Sequence, residues 1–295
     1  MFTAAAGYAQ QDAQFTQYMY NTININPAYA GSRGAMSIFG LYRTQWVGMD
    51  GAPKTAAFSV NTPLNDSRLG IGVSVTNDEL GPTVENTFSA DLSYTVPVSE
   101  NWKISVGLKG TANFFKLNTV GTLVTQDPDP SLFDYSKFSP NVGAGIYFHS
   151  EKTYIGLSVP AVLETKTKYT EISGESAIET QKMNYYLIAG HVFDLSPNTK
   201  FKPALLTKMV TGAPLQVDVS ANFMLYDKLV LGAAYRWDAA VSALVGFQIT
   251  DGLYIGYGYD QETTNLKRYN SGSHEIFLRY ELFGNYNKII SPRFF

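Results

Sequence analysis

From about Ala35 to Leu282 the chain places an apolar or aromatic residue at every second position, in short runs broken by turn residues. Ile71, Val73 and Val75 alternate with Gly72, Ser74 and Thr76; Phe88, Ala90, Leu92, Tyr94 and Val96 alternate with Ser89, Asp91, Ser93 and Thr95. Leu215, Val217, Val219, Ala221, Phe223 and Leu225 are set against Gln216, Asp218, Ser220 and Asn222. A period of two is that of a β-strand with one apolar and one polar face. Such runs fall near residues 35–43, 54–61, 69–77, 84–97, 102–116, 139–149, 153–163, 182–194, 200–210, 214–226, 228–237, 239–250, 253–262 and 273–282, about fourteen in all. An even number of amphipathic strands, many near ten residues long, is how a transmembrane β-barrel is written. The pattern predicts an all-β fold: a single transmembrane antiparallel β-barrel over about 35–283, a short segment 11–34 before it and a tail 284–295 after it.

The connections agree with this. After even-numbered runs they are tight: Pro97 to Asn101, His149 to Lys152, Leu195 to Thr199, Asp227, and Asp251-Gly252. The longest follow odd-numbered runs: Leu117 to Phe138, Glu164 to Gln181 and Thr263 to Gly272. Short turns on one rim and long loops on the other are the polarity of an outer-membrane barrel, periplasmic turns against extracellular loops. An even strand number then puts both termini on the periplasmic rim.

Phase assigns the faces. Trp102, Ile104, Val106 and Leu108 should meet lipid, with Lys103, Ser105 and Lys109 in the lumen. Leu229, Leu231, Ala233, Tyr235 and Trp237 should point out and Arg236 in; Ile276, Leu278 and Tyr280 out, Glu275 and Arg279 in. A Lys or Arg facing lipid near mid-membrane costs about 2–4 kcal/mol, which explains why charges keep to the inner phase. Tyr94, Trp102, Tyr154, Tyr235, Trp237 and Tyr259, near strand ends, are expected to form interfacial girdles.

Composition fits the same picture. Charged residues are 16% of the chain, against about 25% in an average soluble domain. There are 20 Tyr and 18 Phe, mean hydropathy is −0.10, and no run approaches the length of a membrane-spanning helix. The absence of cysteine removes disulfides, thiolate metal sites and cysteine nucleophiles. A net charge of −3 gives no reason to expect nucleic acid as a partner. Residues 1–10, with Gly7-Tyr8-Ala9, resemble the end of a signal peptide cut before Gln10 or Gln11, but without a basic start or a full apolar stretch. They are expected to be a partial remnant of one.

Fourteen strands enclose a lumen too wide for their own side chains to fill. One candidate plug is the 11–34 segment, where Phe15, Tyr18, Met19 and Thr22 recur at helical spacing until Asn26-Pro27 stops the pattern; the segment could instead sit in the periplasm. The other is an inward fold of the Leu117–Phe138 loop.

Two stretches are more specific than a barrel needs. One reads Gln14-Phe15-Thr16-Gln17-Tyr18-Met19-Tyr20-Asn21, then Asn26-Pro27-Ala28-Tyr29-Ala30-Gly31. The second runs from Arg43-Thr44-Gln45-Trp46-Val47-Gly48 through Met49-Asp50-Gly51-Ala52-Pro53 to Lys54-Thr55. With the terminal Ser291-Pro292-Arg293-Phe294-Phe295, these resemble the PorP/SprF family of Bacteroidetes outer-membrane proteins, from Gln11 to the last residue. The resemblance implies an integral outer-membrane barrel of type IX secretion and gliding. Its expected partners are outer-membrane lipid, a large adhesin-like cargo with a C-terminal secretion domain, and periplasmic or outer-membrane lipoproteins of that machine. Candidate plug or partner-binding residues are Phe15, Tyr18, Asn26, Pro27, Tyr29, Arg43, Gln45, Trp46 and Pro53. Pro27 forces a change of direction after Asn26. Arg43 and Trp46 are of the types that dominate interface energies, but two readings stay open: contact with cargo, or Trp46 packed on neighbouring loops and Arg43 paired with a lumen carboxylate.

No catalytic, metal or cofactor constellation is evident. His149, His191 and His274 are scattered and read as structural. Gly70-Ile71-Gly72, Gly143-Ala144-Gly145 and Gly256-Tyr257-Gly258 lack the strand–turn–helix setting of phosphate loops and read as small inward residues of strands. Asp127-Pro128-Asp129-Pro130 has no EF-hand spacing, and no serine sits in a nucleophile elbow. The other function classes left open are a transport channel for a small or hydrophobic solute and a scaffold that docks periplasmic ring lipoproteins.

Overall fold

The computed structural model describes residues 15–16, 18–64, 68–118, 135–170 and 176–282. Fourteen strands close an antiparallel barrel. In chain order they are β1 (Met36–Thr44), β2 (Lys54–Pro63), β3 (Leu69–Leu80), β4 (Thr83–Pro97), β5 (Lys103–Leu117), β6 (Tyr135–His149) and β7 (Thr153–Val159), then, past a separate hairpin of β8 (Thr165–Thr170) and β9 (Ser176–Gln181), β10 (Asn184–His191). A short extra strand, β11 (Phe193–Ser196), precedes β12 (Thr199–Val210), β13 (Gln216–Leu225), β14 (Leu229–Arg236), β15 (Ala240–Gln248), β16 (Leu253–Glu262) and β17 (Ser273–Leu282). Neighbours in sequence pair, β10 joins β7 to β12, and β1 closes on β17 from Met36 against Leu282 to Thr44 against His274.

The alternation sets the faces as expected. Val106 and Leu108 are exposed on the outer face while Ser105 and Lys109 are buried inside; Ile276, Leu278 and Tyr280 point out, Glu275 and Arg279 in. Dozens of exposed aliphatic and aromatic side chains on one molecule would be a liability in water, but they form the lipid face of a membrane barrel. No helix among the described residues is long and apolar enough to cross a membrane.

Several expectations need correction. Tyr154 is no girdle residue: it shares the inward phase of Gly156 and Ser158 and is buried with Tyr147 and Ile188. β6 starts earlier than the alternation suggests, at Tyr135, whereas β7 stops at Val159, ahead of Pro160, whose ring and missing N–H end a ladder. The 182–194 run breaks at Val192 into β10 and β11. The Glu164–Gln181 connection contains β8 and β9, because its Thr, Lys, Tyr and Ile content suits a strand even without an apolar face. The inward fold suggested for the Leu117–Phe138 loop concerns residues 119–134, which lie outside the described ones.

Helical spacing in the N-terminal segment yields less helix than it suggests. A 3-10 turn, Tyr18–Tyr20, is followed by one α-helical turn, α1 (Thr22–Ile25), and a second 3-10 turn, Pro27–Tyr29. Thr22, Ile23 and Ile25 are β-branched, and Asn21, Asn24 and Asn26 favour caps and turns over helix interior. Asn26 caps the last turn by accepting the Ala28 N–H at 3.0 Å.

Candidate functional site

The described N-terminal segment lies inside the barrel. Its first residues sit near the long-loop rim: the Phe15 carbonyl accepts from Arg236 at 3.1 Å, the Thr16 N–H donates to Glu275 Oε2 at 2.8 Å and its hydroxyl to Asp260 Oδ2 at 2.8 Å. Arg43 completes the cluster. It donates to the Thr16 hydroxyl and pairs with Asp260 at 2.7 Å and Glu275 at 3.5 Å, all three ionic side chains being at most 2% exposed. Charges so buried are tolerable only when paired and hydrogen-bonded, as here.

From there the segment descends. Tyr20 packs on Phe277 (ring centroids 4.8 Å apart) and Tyr254 (5.4 Å), with Lys202 over its own ring and Arg279 over that of Tyr254. Such ring contacts contribute roughly 0.5–1.5 kcal/mol each beyond area burial. Side chains of the opposite wall hold the segment's carbonyls: Lys109 on Ile23 at 3.2 Å, Ser158 on Ile25 at 2.7 Å and Ser93 on Ala30 at 2.7 Å. The segment leaves at the short-turn rim, where Arg33 pairs with Glu281 and donates to the Tyr29 hydroxyl at 3.1 Å. β1 then starts. Strand parity thus sets the rim at which Met36 and Leu282 lie, while the described chain begins near the opposite one.

Each residue singled out in sequence has a place. Phe15 is buried with Tyr20, Phe39 and Leu41, and Tyr18 with Ile23, Tyr147 and Tyr154. Asn26, wholly buried, donates to the Ile146 carbonyl at 3.1 Å; Pro27 begins the following turn, and Tyr29 meets Tyr147 edge-on at 5.7 Å. Arg43 is paired internally. Trp46, at φ +47°, donates its indole N–H to Glu262 at 3.0 Å and its backbone N–H to Ser273 at 3.2 Å, tying the β1–β2 loop to the β16–β17 loop. Gln45 accepts from Arg43 at 3.2 Å and donates its backbone N–H to the Pro53 carbonyl at 2.9 Å. Phe15, Tyr18, Asn26, Pro27, Tyr29 and Arg43 therefore belong to one lumen assembly; Trp46 and Pro53 belong to the rim.

Sequence reasoning missed the seat. Inward glycines Gly70, Gly72, Gly107, Gly145 and Gly156 let the segment lie against the wall: a Cβ on Gly107 would overlap the Ala28 backbone, one on Gly145 the Asn26 carboxamide, and one on Gly156 would stand 2.8 Å from Asn26 Nδ2. Their inward phase was readable, but what they make room for was not. The carboxylates Asp260, Glu275 and Glu281 were readable only as inward charges. No group of metal-ligating side chains occurs among the described residues.

Between the segment and the inner faces of β3 to β6 lies a cavity of about 150 Å³. Phe15, Asn24 and Ile25 line it from the segment, and β3 to β6 contribute Ser74, Thr76, Asp78, Glu85, Thr87, Ser89, Lys109, Thr111, Asn113, Ser139 and Asn141.

A family model described as type IX secretion system membrane protein PorP/SprF matches residues 7–280. The chain belongs to the PorP/SprF family. This makes it an integral outer-membrane barrel of the type IX secretion system. No curated protein matches it. Among solved structures, the Acinetobacter baumannii outer membrane protein Omp33 superposes with a TM-score of 0.50 at 9% identity, over 84% of this chain and 98% of that one. A deltaS2S3 mutant of the TodX monoaromatic hydrocarbon channel gives a TM-score of 0.52 at 11% identity, over 91% of this chain and 94% of that one. At such identities the likeness is one of fold.

Proposed function

We propose that this PorP/SprF protein is a non-catalytic accessory of type IX secretion that exports a large adhesin-like cargo, or anchors it at the cell surface through the cargo's C-terminal secretion domain, in support of gliding motility. The short-turn rim, with the end of β17, faces the periplasm, where ring lipoproteins can dock on it; the long-loop rim faces outward. The observation that carries this reading is the occupied lumen. A family membership supplies the system, and a barrel whose interior holds Thr16 and the chain from Tyr18 to Ala30 suits holding better than bulk passage. Deleting the gene should remove one or a few large proteins from the surface, read by mass spectrometry of surface-shaved peptides. Unaltered display of every surface protein would sink the reading.

A second reading, a channel for a small or hydrophobic solute, is favoured by one feature: the lumen is filled by the segment before β1 and not by strand side chains alone. Planar-bilayer recordings separate the two. Steady conductance of the intact protein supports transport; a silent protein supports holding.

A further inference from the structure

The apolar band on the outer face of β6 runs higher than the strand that covers its edge. Phe88, Phe114 and Phe138 form an exposed row of rings, 5.9 and 5.1 Å between centroids, and the next outward pair toward the rim, Lys116 and Ser136, is polar. Residues below that row, Val142 among them, therefore lie at membrane depth. β5 pairs with β6 along its whole length, yet β7 pairs with it only from Ala144 to His149 and ends at Val159. The chain then steps into the lumen: the Pro160 carbonyl lies on the inner face of β6, where a Cβ on Gly143 would stand. It returns to the wall at Val162, whose N–H donates to the Val142 carbonyl at 2.8 Å. In hydrocarbon every peptide group needs a partner within the protein, and here one side chain supplies what the ladder does not. Asn141 donates its amide to the Leu163 carbonyl at 2.8 Å, and its Oδ1 accepts from the N–H groups of Leu163 and Val142, both at 2.9 Å. Pro140, on the same edge as Val142, and Pro160 have no N–H to give, so no regular ladder can replace this latch. The same prolines reduce what is left unpaired when the seam parts, so separation costs less here than between two regular strands.

The two sides of this seam differ in chemistry. Outside, Phe138, Val142, Val162 and Leu163 are exposed to lipid. Inside, the lumen cavity reaches the seam from both sides, at Ser139 and Asn141 on β6 and at Pro160 and Ala161 beyond β7, and continues to Ser89 and Thr111. Hydroxyls and amides both donate and accept, which suits a hydroxylated group, whereas the cation of the lining, Lys109, is engaged by Asp91 and the Ile23 carbonyl. A molecule lying across the seam must be apolar at one end and hydrogen-bonding at the other. We infer that the seam between β6 and residues 160–163 is a lateral door into the lumen, latched by Asn141, and that it takes a single-chain amphiphile from the bilayer. The hydroxylated head lies in the cavity and the acyl chain leads out between Val142 and Val162. The door is a property of the barrel wall, independent of the secretion role.

The test uses the full-length protein in lipid nanodiscs that contain a monoacylglycerol whose photoreactive diazirine sits on the acyl chain beside the glycerol head. Labelled residues are mapped by mass spectrometry. Label should appear on Ala161 and Ile25 in the lumen as well as on lipid-facing Leu108, and not on Tyr254, which lies behind the unbroken ladders of β16. Because the chain has no cysteine, Val142→Cys with Val162→Cys defines one disulfide across the seam. Its oxidised form should lose the lumen label and keep that on Leu108, and reduction should restore the loss. Asn141→Ala, which removes the latch, should increase the lumen label. Lumen label that persists in the oxidised form shows entry by another route and overturns the door. So does its absence from both the wild type and Asn141→Ala. Normal surface display after deletion of the whole gene removes the secretion role and leaves the door standing.

Discussion

The two walls that grip the N-terminal segment do so by different means. On the β3–β7 side the contact is mostly one of shape: inward glycines bring backbone against backbone, hydroxyls of Ser93 and Ser158 reach the segment's carbonyls, and a single cation, Lys109, already paired with Asp91, holds that of Ile23. On the β14–β17 and β1 side it is one of charge and rings: Arg43, Arg236, Asp260 and Glu275 at one end, Tyr254, Phe277 and Arg279 lower down, and Glu281 at the other rim. A barrel too wide for its own side chains is therefore filled off-centre. One wall is thinned to admit the segment, and the other is built up to meet it. Most of the ionic contacts come from the charged wall, and the closest backbone approaches from the thinned one.

That contrast can be broken most severely on the charged side. Arg43→Ala leaves Asp260 and Glu275 buried together without their cation and should cost about 3–5 kcal/mol, read as a lowered unfolding midpoint. On the glycine side, Gly107→Val drives a side chain into the Ala28 backbone and should cost about 1–3 kcal/mol, with new bilayer conductance if the segment is expelled. Combining the two sharpens the comparison. If the segment leaves as a unit, the double variant should lose scarcely more than Arg43→Ala alone; strict additivity would show two independent grips. A smaller change, Ser158→Ala, removes one hydrogen bond to the Ile25 carbonyl and should cost about 1 kcal/mol. The smallest belongs to neither wall: Lys152→Ala breaks a half-exposed pair with Asp194 on the short-turn rim and should shift the midpoint by less than about 1 kcal/mol.

Much of the wall was legible in the alternation, because a period of two fixes both strand and face once a single residue's side is known. Val106, Ser105, Ile276 and Glu275 stand where phase puts them. Tyr154 did not, because an aromatic at a strand end suggests a girdle on either face, and only its register with Gly156 and Ser158 decides. The polar hairpin β8–β9 carried no apolar face to read. The lumen assembly was legible by residue type but not by partner. Arg43 stood out, yet its carboxylates lie on β16 and β17 at the far end of the chain, brought to it only by closure of β1 on β17. Asn26 could be read as a stop signal for a helix, but its contact with the β6 carbonyl of Ile146 depends on a glycine beneath it.

The crossing of the lumen by the segment before β1 also bears on how the molecule is assembled. Its anchors at Asp260, Glu275 and Glu281 are made late in synthesis, as is the β1–β17 seam. Both therefore carry the entropy of the longest loop the chain can close, and neither rewards the other strands until the last one arrives. Once the last strand is in place, segment and seam hold each other: Arg33, just ahead of β1, is paired with Glu281 on the strand that closes against it. An incomplete sheet, lacking the final strand, would lose the seam and the Glu275 and Glu281 anchors, and would leave β1 and β16 as two open edges.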